Sequence, residues 1–302
     1  MFELTILGSS SATPAFKRHL SAQLVSHNDR LFLIDCGEGT QFQLLRYKVR
    51  IQRLDAIFIS HLHGDHIFGL PGLLCTLGNH ERTRPLTLVC PEGLPEMLSR
   101  IFQYSDTRLK FDIEFVELKE KESRVVFENN GLEVETIPLR HRVYCNGFLF
   151  REKKRPGKFE TIQAMEDGIP RQYFHLLKQG NDIELDGRVI HASDYLGASP
   201  KRYAYAYCSD TRYMDTLAQQ VQDVDLLYHE ATFMEDLKHK AESTFHSTAH
   251  EAALVARKAG AQKLVIGHFS ARYSDLSPLL QEARMVFPET YLAEEGVPVK
   301  IK

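Results

Sequence analysis

A chain of 302 residues, 43% hydrophobic and with a formal net charge of −3, is long enough for one large domain or two small ones. No apolar run approaches the roughly 20 residues that cross a bilayer, and a chain that is not basic overall can meet nucleic acid only through a local basic surface. The five cysteines (Cys36, Cys75, Cys90, Cys145 and Cys208) are odd in number and scattered, which excludes a disulfide framework or a thiolate zinc site and suits a reducing cytoplasm.

In chain order, the opening residues 1–8 are too short and wrongly flanked for a signal peptide and read as a strand. β-rich runs at residues 2–7, 21–25, 31–35 and 56–60 enclose a helical pattern at 40–47. A second helix, 67–77, opens just after a histidine-rich turn, and strand-like runs follow at 86–90, 113–118, 125–128, 133–138 and 147–150. The same style resumes after Arg202, with strands at 203–208, 226–228 and 263–266 and helices at 249–259 and 276–287. Strands grouped with helices between and after them predict an α/β architecture of sheets packed face to face with helices outside.

Residues 151–202 differ in character. They begin with Arg151, Lys153, Lys154, Arg155 and Lys158 against one acidic residue, Glu152. Short helical stretches at 159–166 and 172–178 and a polar hairpin-like run follow, reading as an arm on the main domain rather than a second core.

The most informative stretch is His61-Leu-His63-Gly-Asp65-His66, four metal-binding side chains directly after an apolar strand. Alternation along the strand end sends His61 and His63 to one side, and Gly64 lets the backbone turn so that Asp65 and His66 address a second position. Imidazoles and carboxylates without thiolates suit a catalytic zinc that leaves a place for water. His141, Asp210 and His268 each stand just past a strand-like run, where side chains converge at one rim of a sandwich.

The order H-x-H-x-D-H, later His, later Asp, final His resembles the metallo-β-lactamase superfamily across nearly the whole chain. That resemblance implies an αβ/βα four-layer sandwich with two zinc ions at one edge. One would be held by His61, His63 and His141 and the other by Asp65, His66 and His268, with Asp210 bridging them and a bridging hydroxide as the nucleophile. The H-x-H-x-D-H run alone is shared with small-molecule hydrolases of this fold and separates none of them.

Longer motifs are similar to the ribonuclease Z family in particular. They are Leu7-Gly-Ser-Ser-Ser-Ala-Thr13-Pro14, Leu33-Ile-Asp35-Cys-Gly-Glu38-Gly-Thr-Gln41, His63-Gly-Asp65-His66-Ile-Phe-Gly69-Leu-Pro-Gly72, His229-Glu-Ala-Thr232, Phe245-His-Ser-Thr248 and His268-Phe-Ser-Ala-Arg272-Tyr273. The resemblance implies an endoribonuclease that removes 3′ trailers from precursor tRNA, leaving a 3′-hydroxyl and a 5′-phosphate. It further implies a cytoplasmic homodimer with no membrane segment and no organic cofactor. Asp65 would take a proton from the attacking water, His246 would donate one to the departing ribose oxygen with Glu230 orienting it, and Arg272 would steady the phosphate. Residues 151–202 would form a protruding tRNA-binding arm, with Arg151, Lys153, Lys154, Arg155 and Lys158 meeting phosphates. The chain departs from the family pattern at Gly168-Ile-Pro170, where a Gly-Pro pair is frequent. It departs again at Pro14-Ala-Phe-Lys17-Arg18-His19, where P-x-K-x-R-N is frequent.

Overall fold

The computed structural model describes residues 1–119 and 121–302, in two compact units: Met1–Arg151 with Tyr203–Lys302, and Glu152–Arg202. The strands in chain order are β1 (Phe2–Gly8), β2 (Ala22–His27), β3 (Arg30–Ile34), β4 (Leu54–Phe58), β5 (Leu86–Pro91), β6 (Ile113–Leu118), β7 (Val125–Glu128) and β8 (Leu132–Pro138). They continue as β9 (Asn146–Glu152), β10 (Ile183–Leu185), β11 (Arg188–Ile190), β12 (Ala204–Cys208), β13 (Leu226–Glu230), β14 (Leu264–Gly267), β15 (Thr290–Leu292) and β16 (Pro298–Lys300).

The larger unit holds two seven-stranded sheets, ordered β16-β1-β2-β3-β4-β5-β6 and β15-β14-β13-β12-β9-β8-β7. Strands β3 to β6 run parallel, as do β12 to β15, and the remaining recorded pairings are antiparallel.

Period-two alternation in the central strands divides their side chains between two cores. Phe32, Ile34, Ala56, Phe58 and Val89 face the second sheet, whose Val134, Phe148, Phe150 and Tyr205 meet them in one cluster. Leu33, Ile57, Leu86 and Leu88 point the other way, onto Leu44, Leu73, Leu77, Leu94 and Leu98 of the flanking helices Thr40–Arg46, Leu70–Asn79 and Leu94–Tyr104. Burial on both faces explains why these strands read as unbroken apolar runs. The inter-sheet core is aromatic at its centre: the Phe58 ring lies 5.3 Å from those of Phe148 and Phe150 and 5.9 Å from that of Phe127. Helices Ala249–Ala259 and Ser277–Val286 cover the second sheet through small residues such as Ala252, Ala256 and Ala283, completing a four-layer αβ/βα sandwich.

The helix expected at 67–77 is two pieces, Gly64–Ile67 and Leu70–Asn79. At the break, the Gly69 N–H donates to the Cys36 carbonyl, and a Cβ there would lie 2.1 Å from the Gly37 oxygen, so only glycine fits. Helix Leu94–Tyr104 and the three-residue strands β15 and β16 were not anticipated from the sequence. Among the described residues, no helix is long and apolar enough to cross a membrane.

The smaller unit, Glu152–Arg202, carries helices Thr161–Glu166 and Phe174–Lys178 and the β10–β11 hairpin. It closes on Phe159, Ala164, Ile169, Phe174, Leu177, Ile183, Ala192 and Tyr195, a small core where the sequence reading expects none.

Candidate metal centre

The carboxyl ends of the parallel strands in both sheets lead to one cluster of histidines and aspartates, the position where open α/β sheets bind ligands. His61, His63, Asp65 and His66 follow β4, His141 follows β8, Asp210 follows β12, and His268 follows β14. Ligand atoms of His61, His63, His141 and Asp210 all lie within 4.8 Å of one another, as do those of Asp65, His66 and His268.

The spacing is that of coordination shells. Ligands about 2.0–2.1 Å from a zinc ion at tetrahedral angles stand roughly 3.3 Å apart. His63 Nδ1 lies 3.1 Å from His61 Nε2 and 3.2 Å from His141 Nε2, and Asp210 Oδ2 lies 3.6 and 3.8 Å from those Nε2 atoms. On the other side, Asp210 Oδ1 lies 3.2 Å from His268 Nε2 and 3.5 Å from His66 Nε2, while Asp65 Oδ2 is 3.6 and 3.5 Å from the same two atoms. Thus each oxygen of Asp210 faces a different set.

The imidazoles are aimed by their second nitrogens. His66 Nδ1 donates to Asp35 Oδ2 at 2.8 Å, His141 Nδ1 to the Phe245 carbonyl at 2.9 Å, and His268 Nδ1 to Thr232 Oγ1 at 2.9 Å. The Thr232 hydroxyl is free to accept there because it donates to Glu230 Oε2 at 2.8 Å. Fixing Nδ1–H in this way leaves an Nε2 lone pair pointing inwards. His66 Nε2, His268 Nε2 and Asp210 Oδ1 are buried without a hydrogen-bond partner. Buried polar atoms left unpaired are costly, so converging lone pairs of this kind fit cations.

Electrostatics agree. Burial would raise the Asp65 and Asp210 carboxyls, but the surrounding imidazoles outweigh it and hold both below the usual carboxylate range. Burial would lower His66, yet Asp210, Asp35 and Asp65 push it up to about 10, so a positive charge is favoured at this spot. His61 goes the other way, well below its ordinary value through burial and the neighbouring His66.

His246 stands beside the cluster, its ligand atom grouped with those of Asp210 and His268. Its Nδ1 donates to Glu230 Oε1 at 2.8 Å. Burial lowers the imidazolium, but Glu230 and then Asp210 outweigh it and raise it to about 9. Glu230 is fully buried and also accepts the backbone N–H groups of Thr211, Thr232 and Ser247. The loop holding His246 is fixed from its far side by Thr248, which caps helix Ala249–Ala259 in a reciprocal capping box with Glu251.

Arg272 is not brought into the cluster. It is exposed, its Nε donates to Ser270 Oγ at 3.1 Å, and its guanidinium lies 5.4 Å from the Phe233 ring, which in turn lies 6.2 Å from that of His246. In the basic run, Arg155 pairs with the buried Glu152 at 3.1 Å, while Lys154 and Lys158 are exposed. Sequence reasoning assigned no role to the aiming groups Asp35, Thr232 and the Phe245 carbonyl. All three residues lie inside the motifs similar to ribonuclease Z, and for Asp35 its place at the end of an apolar run is the local signal.

Residues 2–156 match the family described as anti-Pycsar protein Apyc1. The chain is 44% identical to ribonuclease Z of Bacteroides fragilis over 303 residues, covering 99% of each chain. It is 43% identical to ribonuclease Z of Porphyromonas gingivalis over 303 residues, again 99% of each. Among solved structures, the short form of human tRNase Z aligns with a TM-score of 0.71 at 27% identity, covering 99% of both chains. The metallo-β-lactamase fold protein YhfI from Bacillus subtilis aligns with a TM-score of 0.68 at 20% identity, over 99% of this chain and all of that one, a likeness of fold alone.

Proposed function

Because the chain belongs to the ribonuclease Z family, with its first half also in the Apyc1 family, we propose that its histidine–aspartate cluster is a two-zinc phosphodiesterase centre. The protein is a hydrolytic endoribonuclease that processes the 3′ ends of tRNA precursors. The observation that carries the metal reading is Asp210, whose two oxygens face two donor sets that are otherwise separate.

His61, His63 and His141 would hold one ion and Asp65, His66 and His268 the other, with Asp210 available to both. Bound there, the ions would lower the pKa of water and offset the charge of the attacked phosphate. Asp65, its Oδ2 fixed by the Ala12 N–H at 2.9 Å, takes up the proton of the attacking water on its other oxygen. Glu230 at Nδ1 favours the protonated form of His246, so Nε2–H is the one available to the departing ribose 3′-oxygen. The products are then a 3′-hydroxyl on the tRNA and a 5′-phosphate on the trailer. Arg272, one aromatic ring away from His246, is assigned to the phosphate.

The basic run, with Arg151 in the larger unit and Lys153, Lys154, Arg155 and Lys158 in the smaller one, is read as the tRNA grip because its exposed Lys154 and Lys158 offer charge to the phosphate backbone. A homodimer is supported by large apolar side chains left exposed, among them Phe42, Leu45 and Phe68, exposed to 65%, 75% and 67%. Five free cysteines support a cytoplasmic setting.

The test is cleavage of a tRNA precursor with a short 3′ trailer by native, Asp65→Ala and chelator-treated protein. A single cut beside the acceptor stem, lost in both controls, is the expected result. An uncut precursor from protein that still hydrolyses a small phosphodiester would make it a general phosphodiesterase.

A further inference from the structure

Outside the cluster, one carboxylate gathers an unusual set of donors from distant parts of the chain. Glu295 lies in the segment between β15 and β16, and only 12% of its side chain is exposed. Its Oε1 accepts the Ser9 N–H and hydroxyl, both at 3.1 Å, and the His19 N–H at 2.8 Å. Its Oε2 accepts His19 Nδ1 at 2.6 Å and Gln43 Nε2 at 3.2 Å. Ser9 and His19 stand at the two ends of one loop, and the Ser10 N–H closes it onto the His19 carbonyl at 2.9 Å.

That loop is strained. Ala12, Phe16 and Lys17, none of them glycine, have φ of 58°, 51° and 65°. Such conformations persist where the surroundings over-determine them. The loop's Ala12 N–H donates to Asp65 Oδ2, the oxygen that faces His66 and His268. Where Glu295 holds the ends of the loop, Ala12 within it holds Asp65.

We infer that Glu295 is a positioning residue for the reaction: it fixes the Ser9–His19 loop so that Ala12 keeps Asp65 in its reactive orientation. The inference rests on the reading of Asp65 given above. A carboxylate is required because every partner at these two oxygens is a donor. An amide would turn an NH2 group towards the Ser9 and His19 donors or towards Gln43.

The experiment compares full-length, metal-loaded native protein with Glu295→Gln. A Leu279→Ala variant, in helix Ser277–Val286, serves as a control for stability lost elsewhere. For Glu295→Gln, kcat on a trailer-bearing tRNA precursor falls roughly 10- to 100-fold, the scale of a misplaced reacting group, with KM within about twofold. Hydrogen exchange at the Ala12 amide accelerates by about tenfold or more as the loop opens locally. His19→Ala, which removes one of the partners, shows the same changes on a smaller scale and takes the place of Glu295→Gln if that variant does not fold. The inference is overturned by unchanged Ala12 protection, or by Leu279→Ala losing as much kcat at an equal loss of Tm. A native protein that leaves the precursor uncut overturns the tRNA reading instead, while Ala12 exchange still tests the loop.

Discussion

Asp35 Oδ2 lies 2.8 Å from His66 Nδ1, and both side chains are fully buried. The same carboxylate accepts the Ser60 N–H and hydroxyl, each at 2.8 Å, and the Tyr207 hydroxyl at 2.7 Å. It therefore ties the end of β4 to β12 in the opposite sheet while setting the direction of one imidazole. Asp35→Asn replaces an acceptor with an amide whose NH2 group meets donors. Zinc affinity is expected to fall about 10- to 100-fold, the usual cost of losing such a partner. Competition against a chromophoric chelator measures it, and an affinity within twofold of native would refute the role.

His246→Ala separates acid catalysis from binding. Removing a proton donor lowers kcat by about 10²- to 10⁴-fold, with KM and zinc content near native. A raised KM at unchanged kcat would show instead that His246 binds substrate. Glu230→Gln is expected to lower kcat less but to cost more stability, because the buried carboxylate also accepts three backbone N–H groups.

Lys154→Ala and Lys158→Ala test the basic run through salt. Each is expected to raise KM, leave kcat unchanged, and lower the salt dependence of RNA binding by about one ion. Arg155→Ala should do less, since Glu152 already neutralises that guanidinium. Equal salt slopes in all variants and native protein would place RNA binding elsewhere.

In the smaller unit, His191 Nδ1 donates to Asp182 Oδ2 at 2.8 Å across the β10–β11 hairpin. The hydrogen bond and charge of Asp182 raise His191 above 6.5, and the hydrogen bond from His191, with the Ala192 N–H, lowers Asp182 below 3.8. A raised imidazole stabilises the fold below its unfolded value and loses that contribution as pH rises through the folded one. A lowered carboxyl contributes above its unfolded value and is lost as pH falls through the folded one. The pair thus contributes fully between pH 3.8 and 6.5. An NMR titration of His191 should give a midpoint above 6.5 that drops in Asp182→Asn. A midpoint indifferent to that change would contradict the pairing.

Much of the fold was legible because the central strands are buried on both sides and leave long apolar runs, as at Leu31-Phe-Leu-Ile34. The cluster was legible for a related reason, since His61, Asp210 and His268 each follow such a run. Helix Leu94–Tyr104 was missed although its start signals are in the sequence: Gly93 takes φ of 93° as the N-cap and Pro95 sits in the first turn. The three residues of β15 or β16 are too few to show a period. Groups that act by meeting across the chain, such as Glu295 with Ser9 and His19, leave no local trace. Arg272 was read from a motif alone, and its recorded contacts are with Ser270 and Phe233.

Arg151 and Ala204 face each other as partners in the antiparallel ladder of β9 and β12, although 52 residues lie between them. Antiparallel neighbours are what a tight hairpin joins. The intervening stretch therefore leaves and rejoins the sheet at one rung, the place a short turn could occupy. Variation in length at that rung is open to evolution and to a protein engineer alike.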